Sequence, residues 1–230
     1  MHSTNSFDQT ETPLHLVTPL LLAGGQSRRM GTNKSFVQLG ERSLIEIIVD
    51  RLWESFGRCP LIVTNEPQLY TYLKCPMIGD MFKGQGPLAG LHAALLHVRT
   101  GYVFAFACDM PFIAGDFIQY MMKLLGSEDI LIPRNQQGDV EPLHALYSVR
   151  CLPVIVERLQ NGQRSVGSIF NELKVSYVEM NKLPPGVDCP DMFMNINTLA
   201  ELTNAKKLLK EKGTDEKAGN GFESHVPDPE

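Results

Sequence analysis

The run Leu22-Ala23-Gly24-Gly25-Gln26-Ser27-Arg28-Arg29-Met30-Gly31-Thr32-Asn33-Lys34 combines three glycines with three basic side chains. Glycine lets a backbone turn through positive φ and approach a ligand closely. Successive free N–H groups then form a concavity that attracts anions. Arg28, Arg29 and Lys34 add full positive charge, and phosphate is the anion such a loop recognises best. Lys34 and Arg28 are the candidates for stabilising charge on a reacting polyphosphate. The loop is not a Walker A motif, which has four residues between its glycines and a lysine directly after the second. Here five residues separate Gly25 from Gly31, and Thr32 and Asn33 precede Lys34. It is not a G-x-G-x-x-G fingerprint either, so a dinucleotide fold is unsupported.

Further polar residues stand where strands are expected to end. Asp109 follows the apolar run Tyr102–Ala107 inside Cys108-Asp109-Met110-Pro111. A carboxylate there suits Mg²⁺, which takes oxygen ligands and shares them with phosphates. It suits equally the N-cap of a following helix. Asn65 closes the run 60–64, and Asp80 follows Met77-Ile78. Asn195 and Asn197 lie two apart, so in an extended segment both side chains face one side, toward a metal or an acceptor phosphate. His144 sits between apolar residues and reads as a satisfied core histidine, not a catalyst.

The elements that must position these residues alternate in type. Apolar runs at 16–23, 60–64, 77–78, 102–107, 130–133, 143–147 and 175–179 read as strands. Helical spacing marks 43–56, 67–73, 87–98, 115–125, 152–160, 165–173 and 198–212. Ser43 with Glu46, and Thr198 with Glu201, have the spacing of capping boxes. The alternation predicts a three-layer α/β sandwich around a mainly parallel, mixed, Rossmann-like sheet. In such sheets ligands bind outside the carboxyl ends of the strands, where the loop, Asn65, Asp80 and Asp109 all fall.

Composition bounds the rest. A chain of 230 residues with 43% hydrophobic content supports one well-buried core. The expected organisation is a flexible extension over 1–15, a single domain over 16–212 and a disordered acidic tail over 213–230. The tail holds five acids and one base, a charge of −4, which leaves about −1 of the total −5 for the body. A near-neutral body argues against nucleic-acid binding. No apolar run has the length of a membrane span, and the N-terminus lacks signal-peptide order. The five cysteines are scattered with no C-x-x-C pair, which suggests reduced thiols in a cytoplasmic protein and neither a disulfide frame nor a zinc site.

At this point the sequence resembles a known family. The pattern LAGGxSxRMGxxK is similar to the signature loop of nucleotidyltransferases that use GTP or CTP. Together with Gly86-Pro87-Leu88-Ala89-Gly90-Leu91, Ala107-Cys108-Asp109-Met110-Pro111-Phe112, Glu141-Pro142-Leu143-His144-Ala145-Leu146-Tyr147 and Asn195-Ile196-Asn197-Thr198, it resembles the molybdenum cofactor guanylyltransferases. The segments occur in the family's order from about residue 18 to residue 208. The resemblance implies the nucleotide-diphospho-sugar transferase type of sheet and transfer of GMP from GTP to the terminal phosphate of molybdopterin.

The resemblance also implies roles. Lys34 is the essential lysine, acting with Arg28 and Asp109 in catalysis. Leu22, Ala23, Gly24, Gly25, Lys34, Asn65, Asp80 and Asp109 hold GTP, with Thr64 an alternative at the position of Asn65. Asp109 and Asn197 bind Mg²⁺. Asn195, Asn197 and Arg164, in Gly162-Gln163-Arg164-Ser165, face the molybdopterin acceptor. The implied partners are GTP, molybdopterin, other cofactor-biosynthesis proteins and recipient molybdoenzymes. The family's proline after the threonine is replaced here by Leu199. Two rival readings are a cytidylyl or sugar-phosphate nucleotidyltransferase with the same loop, and a carrier that binds nucleotide or cofactor without turnover. The Gly24-Gly25 pair favours guanine over cytosine.

Overall fold

The computed structural model describes residues 14–23, 33–187 and 189–211. The strands of the main sheet are β1 (Val17–Leu22), β4 (Leu61–Val63), β5 (Met77–Ile78), β6 (Tyr102–Ala107), β7 (Ile130–Arg134), β8 (His144–Ser148) and β9 (Val175–Glu179). A separate hairpin pairs β2 (Gln38–Leu39) with β3 (Arg42–Ser43). The helices are α1 (Leu44–Phe56), α2 (Gly86–His97), α3 (Gly115–Leu124), α4 (Leu152–Gln160) and α5 (Leu199–Glu211).

The sheet order is β5-β4-β1-β6-β8-β7-β9. β8 runs against both of its neighbours, and every other pairing is parallel. The expected mixed, mainly parallel sheet is therefore present. From β1 the chain first moves outward to β4 and β5, then returns to β6 on the other side. The order thus reverses between β1 and β6, and in such sheets the ligand crevice lies beyond the carboxyl ends of the strands at that point.

Alternation along β6 builds the two faces. Phe104 and Phe106 join the cluster with Ile45, Ile48 and Leu52 of α1 and Phe117 and Met121 of α3. Val103 and Ala105 join the opposite cluster with Leu88 and Leu91 of α2 and Ile155 of α4. Successive side chains of a strand point to opposite faces, so one apolar run of six residues feeds both layers. α2 is buried along 88–95, as befits a helix apolar on all sides. A Cβ on Gly90 would lie 2.8 Å from Leu22 Cδ2, so glycine here lets α2 press against the end of β1. The Gly86–Leu91 segment is thus a close-packing element.

Several elements differ from the sequence reading. Residue 16 belongs to a 3-10 turn, Leu14–Leu16, and β1 starts at Val17. The 67–73 helix is two separate 3-10 turns, Pro67–Leu69 and Thr71–Leu73, and 165–173 contracts to a 3-10 segment, Val166–Glu172. Neither stretch carries an apolar stripe long enough to hold an α-helix by packing. The β2–β3 hairpin has two-residue strands and gave no periodic signal. Residues 1–13 and 212–230, the bulk of the expected extension and tail, lie outside the described residues.

Candidate nucleotide site

β1 delivers Leu22 and Ala23 to the crevice, and Ala23 N–H donates to Val63 O at 3.0 Å, one step past the last β1–β4 pair. Arg28, Gly24 and Gly25, singled out above, lie outside the described residues. The chain returns at Asn33, whose side chain caps a 3-10 turn, Lys34–Phe36, by accepting Ser35 N–H.

The two ends of the loop share one anchor. The phenol oxygen of Tyr70 lies 3.2 Å from both Ala23 O and Ser35 Oγ, and it accepts Asn33 Nδ2 at 2.9 Å. Tyr70 is wholly buried, and its ring stacks on Phe36 with centroids 5.1 Å apart. Burial raises the phenol pKa. Sequence reasoning missed Tyr70, because only tertiary packing brings residue 70 to residues 23, 33 and 35. Tyr70→Phe deletes the hydroxyl but keeps the ring, leaving three polar partners to rearrange, a loss of about 1–3 kcal/mol. That loss should appear as a KM for nucleotide raised several-fold with kcat much less affected, read by steady-state kinetics.

The central contact joins three distant segments. Lys34 Nζ donates to Asp109 Oδ2 at 3.0 Å and to Asn197 Oδ1. Two acceptor oxygens therefore converge on one positive charge beyond the carboxyl end of β6. Asp109 is not a helix cap: α3 starts at Gly115 with Ala114 as its N-cap, so the capping alternative falls. Its backbone carbonyl instead accepts Ile196 N–H at 2.9 Å. Ile196 is fully buried in a small cluster with Leu39, Leu44 and Ala205, which fixes the Asn195–Asn197 segment against the domain.

Asn197 is held from behind. Its backbone N–H donates to Glu201 Oε2 at 2.7 Å, and Glu201 N–H donates to Thr198 Oγ1 at 3.2 Å. The Asn197 N–H first, then the Thr198 hydroxyl that donates to the same carboxylate at 3.0 Å, lower the Glu201 pKa. The Thr198 half of the expected capping box therefore forms, the Glu201 carboxylate takes the N–H one residue earlier, at Asn197, and Leu199 beside it is 73% exposed. Asn195 does not share this contact; its amide points to Phe193 O at 3.5 Å.

Asn65 and Asp80 form a second group. Asn65 Nδ2 donates to Asp80 Oδ2 at 2.9 Å, and Asp80 N–H donates to Asn65 Oδ1 at 3.2 Å. The exchange ties the ends of β4 and β5 together. Thr64, the alternative to Asn65, is buried and accepts Glu66 N–H. Arg164 lies elsewhere: its exposed residue packs at Gly86, whose Cβ would stand 3.4 Å from Arg164 O.

Two groups beside the site titrate unusually. β6 and β8 pair antiparallel with Phe106 opposite His144, so Asp109, after the end of β6, and Glu141, before the start of β8, fall at the same edge of the sheet. Burial, then the charge of Asp109, raises the Glu141 pKa. Sequence reasoning met Glu141 only as part of a motif. His144 is 0% exposed between the edges of Phe106 and Phe193, with centroids 5.1 and 5.5 Å away. No side chain hydrogen-bonds either ring nitrogen, and the Leu143 backbone is the polar group beside the ring, so it is a core histidine held largely by apolar neighbours.

Burial lowers the His144 pKa to about 4 from 6.5. The unfolded chain therefore takes up this proton first as pH falls. The stabilisation by neutral His144 is complete above about pH 6.5 and declines as pH falls through about 4, by about 3 kcal/mol. His144→Leu should remove that part of the acid limb, so its stability advantage over the parent should grow between pH 7 and pH 4 in urea unfolding. Parallel curves across that range would refute it.

The comparisons with known proteins agree with this geometry. A family model described as the MobA-like NTP transferase domain matches residues 19–176. A probable molybdenum cofactor guanylyltransferase of Peptoclostridium acidaminophilum is 36% identical over 202 residues, covering 84% of this chain and 90% of that protein. A molybdenum cofactor guanylyltransferase of Vibrio vulnificus is 33% identical, covering 84% of this chain and 96% of the relative. The crystal structure of molybdopterin-guanine dinucleotide biosynthesis protein A from Archaeoglobus fulgidus superposes with a TM-score of 0.74 at 28% identity, covering 84% and 99% of the two chains. With a strand order that reverses at β1/β6 and a family match across most of the sheet, the chain belongs to the MobA-like NTP transferases.

Proposed function

We propose that the chain is a molybdenum cofactor guanylyltransferase, which transfers GMP from GTP to the terminal phosphate of molybdopterin and releases pyrophosphate. The observation that carries this reading is the convergence of Lys34, Asp109 and Asn197 from three separate segments on one point of the crevice. An acceptor phosphate oxygen attacks the α-phosphorus of GTP, a new P–O bond forms, and the bond to the β-phosphate oxygen breaks. The acceptor phosphate is anionic near neutral pH, so no side chain has to remove a proton. That suits a sequence with no evident Ser-His-Asp or Cys-His arrangement.

Asp109 Oδ2 and Asn197 Oδ1 are hard oxygen donors already gathered around a cation, which fits Mg²⁺. The bound ion supplies charge neutralisation on the phosphates. Lys34 adds a second positive charge where negative charge accumulates, and Glu201 keeps Asn197 in place. Asp80 Oδ1 is buried without a partner, an acceptor suited to a nucleotide donor, with Asn65 orienting the other oxygen. Leu22 and Ala23, with the loop residues Gly24, Gly25 and Arg28, are assigned to GTP. Asn195 and Arg164 are assigned to the acceptor.

We place the reaction in the cytoplasm, with other cofactor-biosynthesis proteins and recipient molybdoenzymes as partners. Among the described residues no helix is long and apolar enough to cross a membrane. The direct test incubates the protein with molybdopterin, Mg²⁺ and each nucleoside triphosphate in turn, measuring pyrophosphate and the dinucleotide product. GTP should support turnover at least tenfold better than CTP. Exclusive use of CTP would refute the base assignment, and GTP binding without pyrophosphate release would favour a carrier.

A further inference from the structure

Two of the five cysteines, far apart in sequence, meet at the other end of the sheet from the nucleotide crevice. Cys59 precedes Pro60 at the entry to β4, and Cys75 precedes Pro76 at the entry to β5. A proline restricts the residue before it to extended backbone, so both cysteines enter neighbouring strands in the same conformation. β4 and β5 run parallel with Ile62 opposite Met77, and Ile62 N–H donates to Pro76 O at 2.9 Å. This register sets Cys59 diagonally beside Cys75.

Both side chains pack on the α1/α3 core cluster, Cys75 within it and Cys59 against it, and the Cys59 thiol is a near neighbour of Cys75. The approach is imposed by the turn before it. Lys74 is the non-glycine residue with positive φ among the described residues, at +50°, and it feeds the chain directly into Cys75. A side chain in that conformation is strained, and the surrounding packing holds it there. Cys75 is 5% exposed, whereas Cys59 is half-buried and open to small reagents.

We propose that Cys59 and Cys75 are a redox modification site, forming a reversible disulfide that ties edge strand β5 to β4. With a hydroperoxide as oxidant the step balances. The Cys59 thiolate attacks one peroxide oxygen, the O–O bond breaks with loss of hydroxide, and a sulfenic acid forms on Cys59. Cys75 sulfur then attacks Cys59 sulfur, the S–O bond breaks, water leaves with the Cys75 proton, and the S–S bond closes. Burial and the neighbouring Cys59 thiol raise the Cys75 pKa, so Cys59 is the first to react. The closed loop contains Asn65 and the anchor Tyr70, and Asp80 follows it, so the bond would brace the segment that carries one side of the nucleotide site. The inference stands on the paired entries of β4 and β5 and on the packing of both cysteines against one cluster, and does not need the substrate assignment.

The test treats the full-length protein with a small excess of hydrogen peroxide, then alkylates it unfolded and digests it with trypsin without reductant. Cleavage after Arg58 and Lys74 separates the two cysteines, so the expected product is peptide 59–74 disulfide-linked to peptide 75–83, two mass units below their sum. Dithiothreitol should restore the free peptides. The oxidised protein should melt several degrees higher, because the bond closes a long loop of the unfolded chain. In Cys75→Ser the oxidation should stop on Cys59 as sulfenic or sulfinic acid. Peroxide treatment of the parent that leaves both cysteines alkylated, or gives sulfinic Cys59 with free Cys75, would overturn the proposal. A linked protein with an unchanged melting temperature would overturn the bracing role.

Discussion

Asp109→Asn should lower the rate of pyrophosphate release on the order of a thousandfold at saturating GTP and Mg²⁺, with Asp109→Ala at least as damaging. Asparagine keeps the side-chain shape and removes the charge, so the loss reports electrostatics and not packing. The backbone bond from Ile196 N–H to Asp109 O survives either change, and with it the approach of the Asn195–Asn197 segment. Folding should therefore be intact, which circular dichroism and the melting temperature check. Losing a single preorganised electrostatic contact already costs about 10²–10³ in rate. Asp109 is asked for more, because it balances Lys34 and is also the only carboxylate of the three converging groups. Mn²⁺ affinity in the presence of a non-hydrolysable GTP analogue should fall in parallel. Rates within threefold of the parent would remove Asp109 from the mechanism.

How much of this was open to sequence reading depends on the range of the interaction. The strands of the main sheet were legible because burial on both faces demands continuous apolar runs, as in Tyr102–Ala107. α1, α4 and α5 were legible because an amphipathic stripe and a cap are local. The β2–β3 hairpin was not, since a two-residue strand such as Gln38–Leu39 has no period to detect, whereas the equally short Met77–Ile78 was read from its apolar pair. Asp109 shows a different limit: a carboxylate after a strand satisfies a cap and a metal equally well. Only the later start of α3, at Gly115, excludes the cap. Lys34, Asp109 and Asn197 could be named one by one, but their meeting needs β1 and β6 adjacent and Ile196 bound to Asp109. Tyr70 and the Cys59–Cys75 contact were invisible for the same reason. His144 was placed in the core by its apolar neighbours, yet the rings of Phe106 and Phe193 that pack on it are announced by no neighbour in sequence.

Lys34 carries the other large effect, and its position gives that effect two signs. In the free protein the ammonium group sits between Asp109 Oδ2 and Asn197 Oδ1, the same two oxygens that suit a divalent ion. Lys34 and the ion therefore compete for these oxygens until a triphosphate arrives with enough negative charge for both. Lys34→Ala should bind Mn²⁺ more tightly than the parent when nucleotide is absent, measured by electron paramagnetic resonance. The same variant should turn over on the order of a hundredfold or more slowly at saturating GTP, the scale of losing one electrostatic stabiliser. Lys34→Arg should rescue little, because a planar guanidinium cannot take the place of a compact ammonium between two oxygens. In the Lys34→Ala/Asn197→Ala double variant the losses should be less than additive, since the groups touch. A purely structural lysine would give a weaker fold and unchanged Mn²⁺ affinity; tighter Mn²⁺ binding with slower chemistry is the signature of a charge that holds the metal position in reserve.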